Sequence, residues 1–572
     1  MTGSPVRPPT LALFAEWTAD RYAHHPALRY RDGDGWTTET YEDLRDAVRD
    51  LGRALLSQDL RPGDRVAILA ETSPRWTHTH LACLAAGAVV VPIYPTAGEE
   101  EVEWVLRDSG SRFAVCETEE QAARLRILSG VERVFLLPEL SAPEAYQGRG
   151  ELRDQPTTAR SRATTPTAPP LGAADRTPPS EPVPLDHLLA TANAVRPEDT
   201  ATLVYTSGTT GPPKGCRLTH GNLGAVQDAT LPLTEGGPGD RTYLYLPLAH
   251  LLAQLIQFST LLYGGELCYF GGRVEDIVAE LSEARPTHLP SVPRLFEKVH
   301  QGVLSLAEEL HVTDEKELAE LVRAAFGGNL RWALTGGAPI ARETLDFLRA
   351  AGIQVFEGYG MTESAGVITL NHPGAVRYGT VGRPIDGCEV RIAEDGEVLA
   401  RGANVFPGYH ANPAGTAEAL DGDGWLHTGD LGALDPDGFL TITGRKKDLI
   451  ITSAGKNLTP SQVELAIERS RFVSHAVMVG DRRPYPVALI TVDAAEVAGK
   501  DPATVRALVQ EAVDAANARV SRPARIRAFA VLDEDFTVES GVLTPTQKVR
   551  RGAVTERYAQ EIERLYEAVR TP

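Results

Sequence analysis

The sequence predicts an α/β protein with a large N-terminal part, made of two α/β units and a small β-rich subdomain, followed by a small α+β domain. Three observations support this prediction. At 572 residues the chain is several times longer than a usual single domain. Apolar runs of strand length alternate with helical stretches in two separate regions, which is typical of parallel sheets. Farther along, short strands are joined by Gly and Asp turns.

The first α/β unit begins at "RVAILA" (Arg65 to Ala70) and continues through the helical "SPRWTHTHLACLAAG" to "VVVPIYP" and "RFAVCE". This strand–helix–strand order predicts a parallel sheet. Residues 147–182 are dense in Pro, Thr, Ala and Arg and have no apolar periodicity. We therefore expect them to form a flexible surface insertion.

The second unit follows Ala201, where "TYLYLPL", "LLAQLIQFSTLLY", "ELCYF", "LRWALTGGAP" and "IQVFEGYG" again alternate between strand and helix character. Residues from about 376 to 444 carry the Gly and Asp turns and predict the β-rich subdomain. The rest of the chain mixes helices such as "PSQVELAIERS" with the strands "HAVMVG" and "VALITV". It is long enough to fold alone as a small α+β domain.

Composition limits the classes of function. The formal net charge of -20, from 57 basic and 77 acidic residues, argues against nucleic acid or an anionic membrane as the main partner. The five cysteines are odd in number and scattered, which predicts reduced thiols in a cytoplasmic enzyme and no readable metal cluster. The N-terminal apolar stretch is too short for a signal peptide, and no apolar run predicts an integral membrane segment.

The stretch "YTSGTTGPPKG" (Tyr205 to Gly215) has the chemistry of a phosphate-binding loop. Its glycines free the backbone N–H groups, its hydroxyl residues add donors, and its lysine adds positive charge. These residues are Thr206, Ser207, Gly208, Thr209, Thr210, Gly211 and Lys214. The spacing of glycines and lysine differs from a Walker motif, so a P-loop is excluded and a flexible turn remains the alternative.

Six further motifs follow in order: "LTGGAPI", "FEGYGMTES", "GWLHTGD", "GRKKDLI", "SAGKNLTPSQVE" and "GVLTPTQKVRR". With this set the sequence resembles the adenylate-forming superfamily of AMP-producing acyl-CoA synthetases, adenylation domains and luciferases, over nearly the whole chain. "LPLAH", "PSVPRLFEKV", "GYGMTES" and "LTPTQKVRR" are most similar to the long-chain fatty acyl-CoA synthetases.

The resemblance implies two half-reactions: a carboxylate attacks the α-phosphorus of ATP, and an acceptor thiol or amine then takes the acyl group and releases AMP. It implies ATP, Mg²⁺ and CoA as cofactors and a small-molecule acid as substrate. It also implies an N-terminal domain of two stacked α/β units over residues 1–445 and a mobile C-terminal domain over residues 446–572.

The resemblance assigns roles to individual residues of the large domain. The loop from Thr206 to Lys214 would hold the β- and γ-phosphates. The residues around adenine would be Gly337, Ala338, Pro339, Glu357, Gly358 and Tyr359, with the Tyr359 ring stacked on the base. Thr362 would bind the α-phosphate, Glu363 would ligate Mg²⁺, and Asp430 and Arg445 would hold the ribose hydroxyls.

The C-terminal domain would present a different face to the active site in each of two orientations. Lys447 matches the position of the family hinge, and rotation there would exchange two faces of the domain over one active site. Lys548 would reach the carboxylate and α-phosphate in the first orientation, and the loop Gly455 to Asn457, including Lys456, would line the pantetheine path in the second. A lone lysine in a polar tail is otherwise a solvated charge.

The acyl pocket is expected beside the helix that follows His250, with His250 at the gate between the acyl and pantetheine channels. Gly336 and Gly360 would also line this pocket. Gln254 and Gln257 share a helical face, whereas long-chain relatives often carry an arginine near Gln254. Two interpretations remain open: solvent-facing glutamines, or a polar contact to a shorter or functionalised substrate.

Three functions are therefore carried forward. The first is a fatty acyl-CoA synthetase. The second is an adenylating enzyme of specialised metabolism that activates an aromatic acid, or nitrite for transfer to an arylamine, without CoA. The third is a non-catalytic nucleotide sensor, which the joint presence of Lys214, Glu363, Asp430, Arg445 and Lys548 disfavours, because a sensor needs no lysine directed at a reacting carboxylate.

Overall fold

The computed structural model describes residues 7–570, except residues 34, 129, 138–180, 207–211, 273–275, 539 and 545–547. Residues 147–180 of the predicted insertion therefore lie outside the described residues. The same is true of Ser207, Gly208, Thr209, Thr210 and Gly211 in the predicted phosphate loop.

Within the described residues, helices and strands alternate along most of the chain. The α-helices are α1 Phe14–Tyr22, α2 Tyr41–Ser57, α3 Pro74–Ala85, α4 Glu99–Ser109, α5 Glu119–Ile127, α6 Leu185–Ala194, α7 His220–Thr234, α8 Leu251–Leu262, α9 Ile277–Ala284, α10 Pro293–Glu309, α11 Glu315–Ala325, α12 Arg342–Ala350, α13 Pro413–Ala419, α14 Pro460–Glu468, α15 Pro502–Ala518, α16 Arg551–Arg557 and α17 Ala559–Arg570. The strands are β1 Pro26–Asp32, β2 Gly35–Thr40, β3 Arg65–Leu69, β4 Val89–Ile93, β5 Phe113–Cys116, β6 Arg133–Leu136, β7 Thr200–Thr206, β8 Lys214–Thr219, β9 Arg241–Leu244, β10 Glu266–Tyr269, β11 His288–Ser291, β12 Trp332–Thr335, β13 Gln354–Tyr359, β14 Thr369–Leu370, β15 Arg383–Pro384, β16 Cys388–Ile392, β17 Glu397–Gly402, β18 Leu426–Leu434, β19 Leu440–Arg445, β20 Ile450–Ile451, β21 Asn457–Leu458, β22 Val473–Val479, β23 Val487–Val492 and β24 Phe529–Val531.

The first large sheet has six strands in the order β6-β5-β3-β4-β7-β8. Its pairs are parallel except β7 with β8, which forms an antiparallel edge. Both faces are covered, because Val66 and Ile68 of β3 belong to one apolar cluster and Ala67 and Leu69 to another. The predicted parallel sheet is therefore confirmed, with one antiparallel edge that the sequence did not indicate.

The second large sheet has nine strands in the order β15-β14-β13-β12-β11-β9-β10-β1-β2. The run from β1 to β13 is parallel, and the strands at both ends pair antiparallel. One buried cluster joins both sheets through helices α3 and α8, with Trp76 and Phe258 among its fully buried side chains. The two α/β units are thus packed on a shared core, as predicted for this fold class.

Three smaller sheets, one of them the two-stranded pair β20-β21, complete the part of the chain that the structure describes. Strands β16 to β19 form a four-stranded antiparallel sheet, and β22, β23 and β24 form a three-stranded sheet near the C-terminus. Helices α14 and α15 pack on one face of the three-stranded sheet, and α16 and α17 pack on the other. These features agree with the predicted class, while the domain boundary at residue 445 stays a prediction.

Two properties of the described chain bear on chemistry. No helix among the described residues has both the length and the apolar character needed to span a bilayer. All five cysteines are buried and free of disulfide bonds, which agrees with the reduced state predicted from their scatter.

Candidate active site

The predicted site residues gather where strands of both large sheets end. Thr206 ends β7, Thr335 ends β12 and Tyr359 ends β13. Strands β12 and β13 are parallel and in register, so their carboxyl ends lie at the same edge. Ligands of open α/β sheets bind at such an edge.

Asp430, Arg445 and Tyr359 form one group, joined by an ion pair and a hydrogen bond. Asp430 and Arg445 are paired residues of the antiparallel strands β18 and β19, and Arg445 Nε lies 3.1 Å from Asp430 Oδ1. Tyr359 Oη donates to the other carboxylate oxygen, Oδ2, at 2.7 Å. Burial and the Asp430 charge raise the pKa of Tyr359 well above its ordinary value, so the phenol stays neutral and keeps donating. The structure thus brings the three predicted nucleotide contacts together.

Glu363 lies beside this group in a single 3₁₀ turn, Thr362–Ser364. Its side chain is buried, and Tyr409 Oη donates to Glu363 Oε1 at 2.6 Å. Thr362, which begins the turn, is half-buried. A buried carboxylate of this kind fits Mg²⁺, since that cation binds through one or two carboxylates together with substrate phosphates.

The predicted triphosphate lysine converges on the same tyrosine. Lys214 pairs with Thr206 across the antiparallel strands β8 and β7, and its Nζ lies 5.2 Å from the centroid of the Tyr409 ring. The same Nζ lies 3.9 Å from Glu418 Oε2. The Trp104 indole N–H donates to the Pro213 carbonyl at 3.0 Å and fixes the segment that leads into Lys214. Tyr409 therefore lies between the predicted phosphate lysine and the predicted magnesium ligand.

The predicted adenine residues line the ends of β12 and β13. Gly337, Ala338 and Pro339 lie in an exposed segment, and the positive φ of 82° at Gly337 favours glycine there. Burial raises the pKa of Glu357 to about 7, although the Gly379 N–H at 3.4 Å opposes the shift. A hydrogen-bonding carboxyl that titrates near neutrality thus lies beside the nucleotide edge.

Gly336, Gly358 and Gly360 keep this edge open. A Cβ on Gly336 would lie 3.2 Å from the Gly358 carbonyl oxygen. At Gly360 the restriction is stronger, because a Cβ would lie 2.4 Å from the carbonyl oxygen of Gly366. A side chain at Gly360 would therefore force the backbone of the site apart.

His250 caps helix α8. Its Nδ1 accepts the Leu252 N–H at 3.1 Å, so a neutral ring carries its proton on Nε2. Burial, followed by the positive charge of Lys548, lowers the pKa of His250 to about 4. The imidazole is therefore neutral near pH 7, with its N–H on Nε2.

The two glutamines of α8 are not solvent-facing, so that interpretation is wrong. Both side chains are 0% exposed. Gln257 accepts from Thr77 Oγ1 at 2.7 Å and its amide nitrogen lies 3.2 Å from His80 Nδ1. Gln254 Nε2 donates to the Leu248 carbonyl at 3.0 Å, two residues before His250. The Gln257 amide is thus engaged within the protein, whereas the buried Gln254 Oε1 has no hydrogen-bond partner among the described residues. Both side chains are enclosed because α8 lies inside the core.

The segment that carries Lys548 is held by hydrogen bonds between Thr544 and Lys548 and by a partly buried ion pair. The Lys548 N–H donates to Thr544 Oγ1 at 3.0 Å, and the Thr544 N–H donates to the Lys548 carbonyl at 2.8 Å. Three residues later, Arg551 makes two bonds of 2.7 Å to the carboxylate of Glu464 in α14. These contacts fix the backbone of Lys548 relative to the C-terminal domain.

The Lys548 side chain lies over the large domain. It is open to solvent in the cleft, yet protein atoms crowd it enough that desolvation lowers its pKa. The Arg445 guanidinium lowers the pKa further, whereas the carboxylates of Asp430 and Glu363 oppose the shift. Lys548 is thus within electrostatic reach of the predicted ribose and magnesium residues.

The predicted hinge and the pantetheine loop occupy different environments. Lys447 lies in the 3₁₀ turn Lys446–Asp448, and desolvation, followed by the Arg445 charge, lowers its pKa. Lys456 is exposed in the turn between β20 and β21, where Gly455 has a positive φ of 72°. In this orientation of the C-terminal domain, Lys548 lies within electrostatic reach of the predicted ribose and magnesium residues, whereas Lys456 lies in an exposed turn.

A basic pocket of about 280 Å³ opens beside Asp430. It is lined by Thr428, Gly429, Arg445, Lys446 and Lys447. The cations give this part of an acidic protein a local preference for anions.

No role was predicted from the sequence for Tyr409, Trp104 or Arg551, although these residues hold predicted site residues in place. Tyr409 in "FPGYH" and Trp104 on α4 have no motif of their own, and their roles come from tertiary contacts. Arg551 is the last residue of the quoted "LTPTQKVRR" motif, so its presence there was the one available signal.

Comparison with known proteins agrees with this geometry. The chain matches "AMP-binding enzyme" over residues 15–410 and "AMP-binding enzyme C-terminal domain" over residues 447–570. It is 37% identical over 584 aligned positions to long-chain-fatty-acid–CoA ligase FadD15 of Mycobacterium bovis, covering 93% of this chain and 92% of that protein. It is 30% identical over 644 positions to long-chain-fatty-acid–CoA ligase ACSBG2 of Gallus gallus, covering 99% of this chain and 82% of that protein.

Among solved structures, O-succinylbenzoate coenzyme A synthetase (MenE) from Bacillus subtilis, in complex with ATP and magnesium ion, is similar with a TM-score of 0.69 and 24% identity. That match covers 94% of this chain and 98% of the other and shows a common fold. The resemblance predicted from the motifs is confirmed, and the chain belongs to the family of AMP-binding enzymes.

Proposed function

We propose that this protein is an AMP-forming acid–CoA ligase that activates long-chain fatty acids. The enzyme uses ATP, Mg²⁺ and CoA. The observation that carries the proposal is the position of Lys548, a lysine of the C-terminal domain, within electrostatic reach of Glu363, Asp430 and Arg445. The names of the long-chain-fatty-acid–CoA ligases similar to this chain support the substrate class.

In the first half-reaction a carboxylate oxygen attacks the α-phosphorus of ATP, and the bond to the leaving pyrophosphate breaks. Negative charge moves between oxygens, so fixed cations and donors help more than a nucleophilic side chain. We assign Lys548 to the carboxylate and α-phosphate, Thr362 to the α-phosphate and Lys214 to the β- and γ-phosphates. When bound, Mg²⁺ would supply charge neutralisation on the phosphate oxygens, and Glu363 is the residue that would hold it.

The remaining triphosphate and nucleotide contacts follow the same assignment. Thr206, together with Ser207 to Gly211, would donate to the triphosphate. Asp430 accepts from ribose hydroxyls while Arg445 and Tyr359 hold its two oxygens in place, as the Arg445 ion pair and the Tyr359 hydrogen bond support. The adenine lies between the Gly337 to Pro339 segment and the Glu357 to Tyr359 strand end.

In the second half-reaction the CoA sulfur attacks the acyl carbonyl carbon, and the bond to AMP breaks. Rotation about Lys447 would withdraw Lys548 and bring the Lys456 loop to the pantetheine path. His250, neutral because burial lowers its pKa to about 4, would stand at the gate between the acyl and pantetheine channels. The acyl pocket lies beside α8, with Gln254, Gln257, Gly336 and Gly360 near it.

Gln257 does not favour a functionalised substrate, whereas the buried Gln254 Oε1, without a hydrogen-bond partner among the described residues, is free to accept from one. Gln257 uses its amide on Thr77 and His80, and Gln254 uses its nitrogen on a backbone carbonyl. The proposal also includes a small-molecule acid as substrate, CoA as the acceptor and a cytoplasmic location.

A substrate panel tests it. Fatty acids from butyrate to stearate, aromatic acids, and nitrite with an arylamine are each incubated with ATP and Mg²⁺, with and without CoA. AMP release and product mass are measured. We expect CoA-dependent thioesters that are strongest with long chains. AMP release at the same rate with and without CoA, with an aromatic acid or nitrite as the best substrate, would overturn the proposal.

A further inference from the structure

Two arginines of the C-terminal domain converge on one carboxylate of the large domain. Glu343 lies in the first turn of α12, directly after the segment predicted to flank adenine. Arg469 donates to Glu343 Oε1 at 2.9 Å, and Arg519 donates to the same oxygen at 3.2 Å. Arg469 is the C-cap residue of α14 and Arg519 is the C-cap residue of α15. Two helix ends are thus joined to one acidic residue across the domain interface.

This contact depends on the orientation of the C-terminal domain. Arg469, Arg519 and Lys548 all follow the predicted hinge at Lys447, whereas Glu343 precedes it. A rotation about the hinge would carry both arginines away from Glu343 and move Lys548 away from Glu363 at the same time. The ion pairs therefore exist in the orientation that puts Lys548 over the site.

The Glu343 ion pairs are strong enough to favour one orientation of the C-terminal domain and too weak to determine the fold. Glu343 is about half exposed, so each ion pair is weak and adds little to the stability of the fold. Two such pairs are still enough to change the ratio of two domain orientations about tenfold. Reversing the charge at Glu343 would replace two attractions with two repulsions and leave the buried core untouched.

We propose that Glu343 is a positioning residue for the adenylation step, which acts by holding Arg469 and Arg519, and through them Lys548, in the adenylating orientation. The inference rests on the proposed two-step function. It concerns one of the two half-reactions, because thioester formation requires the domain to leave this orientation.

The test compares the two half-reactions in full-length variants. Glu343→Arg should slow single-turnover pyrophosphate release roughly tenfold. Conversion of a supplied acyl adenylate to acyl-CoA should stay equal to the wild type or become faster. The triple variant Glu343→Arg, Arg469→Glu and Arg519→Glu restores opposite charges and should recover most of the pyrophosphate release. Asp346→Arg is the matched control, since Asp346 pairs with Arg342 and Arg349 of its own helix.

The outcomes separate the inference from the function. Equal slowing of both half-reactions by Glu343→Arg, no slowing of either, or no recovery in the triple variant would each overturn the role of Glu343. A folded wild-type enzyme that releases no pyrophosphate with any acid of the panel would instead overturn the proposed function, and the inference with it. Thermal unfolding midpoints confirm that all variants are folded.

Discussion

Asp430 and Lys548 belong to the same candidate site but are held there by different kinds of structure. Asp430 is fixed by the register of β18 and β19 and by bonds from Arg445 and Tyr359, all within the large domain. Lys548 is held within its own domain, by its hydrogen bonds with Thr544 and by the Arg551–Glu464 ion pair that follows it. Its approach to the site depends on how that domain docks. The proposed nucleotide side is therefore built in advance, whereas the proposed catalytic lysine is delivered by its domain.

Removing the delivered group should have the largest effect. Lys548→Ala should reduce acyl adenylate formation by roughly 10²- to 10³-fold, because a cation directed at the reacting oxygens is lost. Conversion of supplied acyl adenylate to the thioester should change little. Pyrophosphate release and thioester formation are measured separately, and an equal loss of both would contradict a lysine that acts in one orientation.

Removing the Arg551–Glu464 ion pair tests whether the position of Lys548 depends on a stable C-terminal domain. Arg551→Ala would leave the Glu464 carboxylate buried without its cation, at a cost of about 3 kcal/mol in the free energy of unfolding of the C-terminal domain. Denaturant unfolding measures this change. Replacing both residues by Met removes the buried charge as well and should cost clearly less, and an equal cost would argue against the ion pair as the cause.

A substitution at Asp430, on the proposed nucleotide side, should weaken ATP binding and leave the position of Lys548 unchanged. Asp430→Asn weakens the bonds to Arg445 and Tyr359, and should raise the KM for ATP roughly 10- to 100-fold. Steady-state kinetics with varied ATP give the value. Asp437→Asn is the matched control in the same subdomain, because Asp437 is exposed and pairs with Arg377. A similar KM in both variants would show that Asp430 does not contact the nucleotide.

The smallest predicted effect is on the pH dependence of stability, through Glu468 in α14. Burial, followed by the charges of Glu464 and Glu297, raises the pKa of Glu468 to about 8, and Arg294 opposes this. The folded state holds this proton more tightly than the unfolded chain, so its contribution to stability is complete below about pH 4.5 and is lost as pH rises through about 8.

Glu468→Gln should therefore flatten the fall of the thermal unfolding midpoint between about pH 5 and 8, and should be more stable than the wild type above that range. Glu496→Gln, in the same domain and partly exposed, serves as control. Identical pH profiles for the wild type and Glu468→Gln would contradict a buried, protonated carboxyl.

The sequence predicted the residues of the prebuilt side well because they lie in short motifs at strand ends. Tyr359, Asp430 and Arg445 come together as expected. Glu343 and Tyr409 could not be predicted, because their partners lie far away in sequence and no local pattern marks such contacts. The burial of Gln257 was predictable in principle: "LLAQLIQFSTLL" is apolar around the whole helix, which is typical of an internal helix.

The burial of every cysteine has a consequence for the reactive mixed anhydride that the enzyme would make. Cys216 lies at the site, 3.9 Å from Thr206 Oγ1, yet burial and the Glu363 charge raise its pKa well above the ordinary value. Burial also raises the pKa of Cys83 and Cys268 to about 12. Since the thiolate is the nucleophilic form, the protein's own sulfur atoms are protected from acylation by its product. The acyl group is therefore kept for an incoming thiol, and self-acylation is avoided without removing cysteine from the sequence.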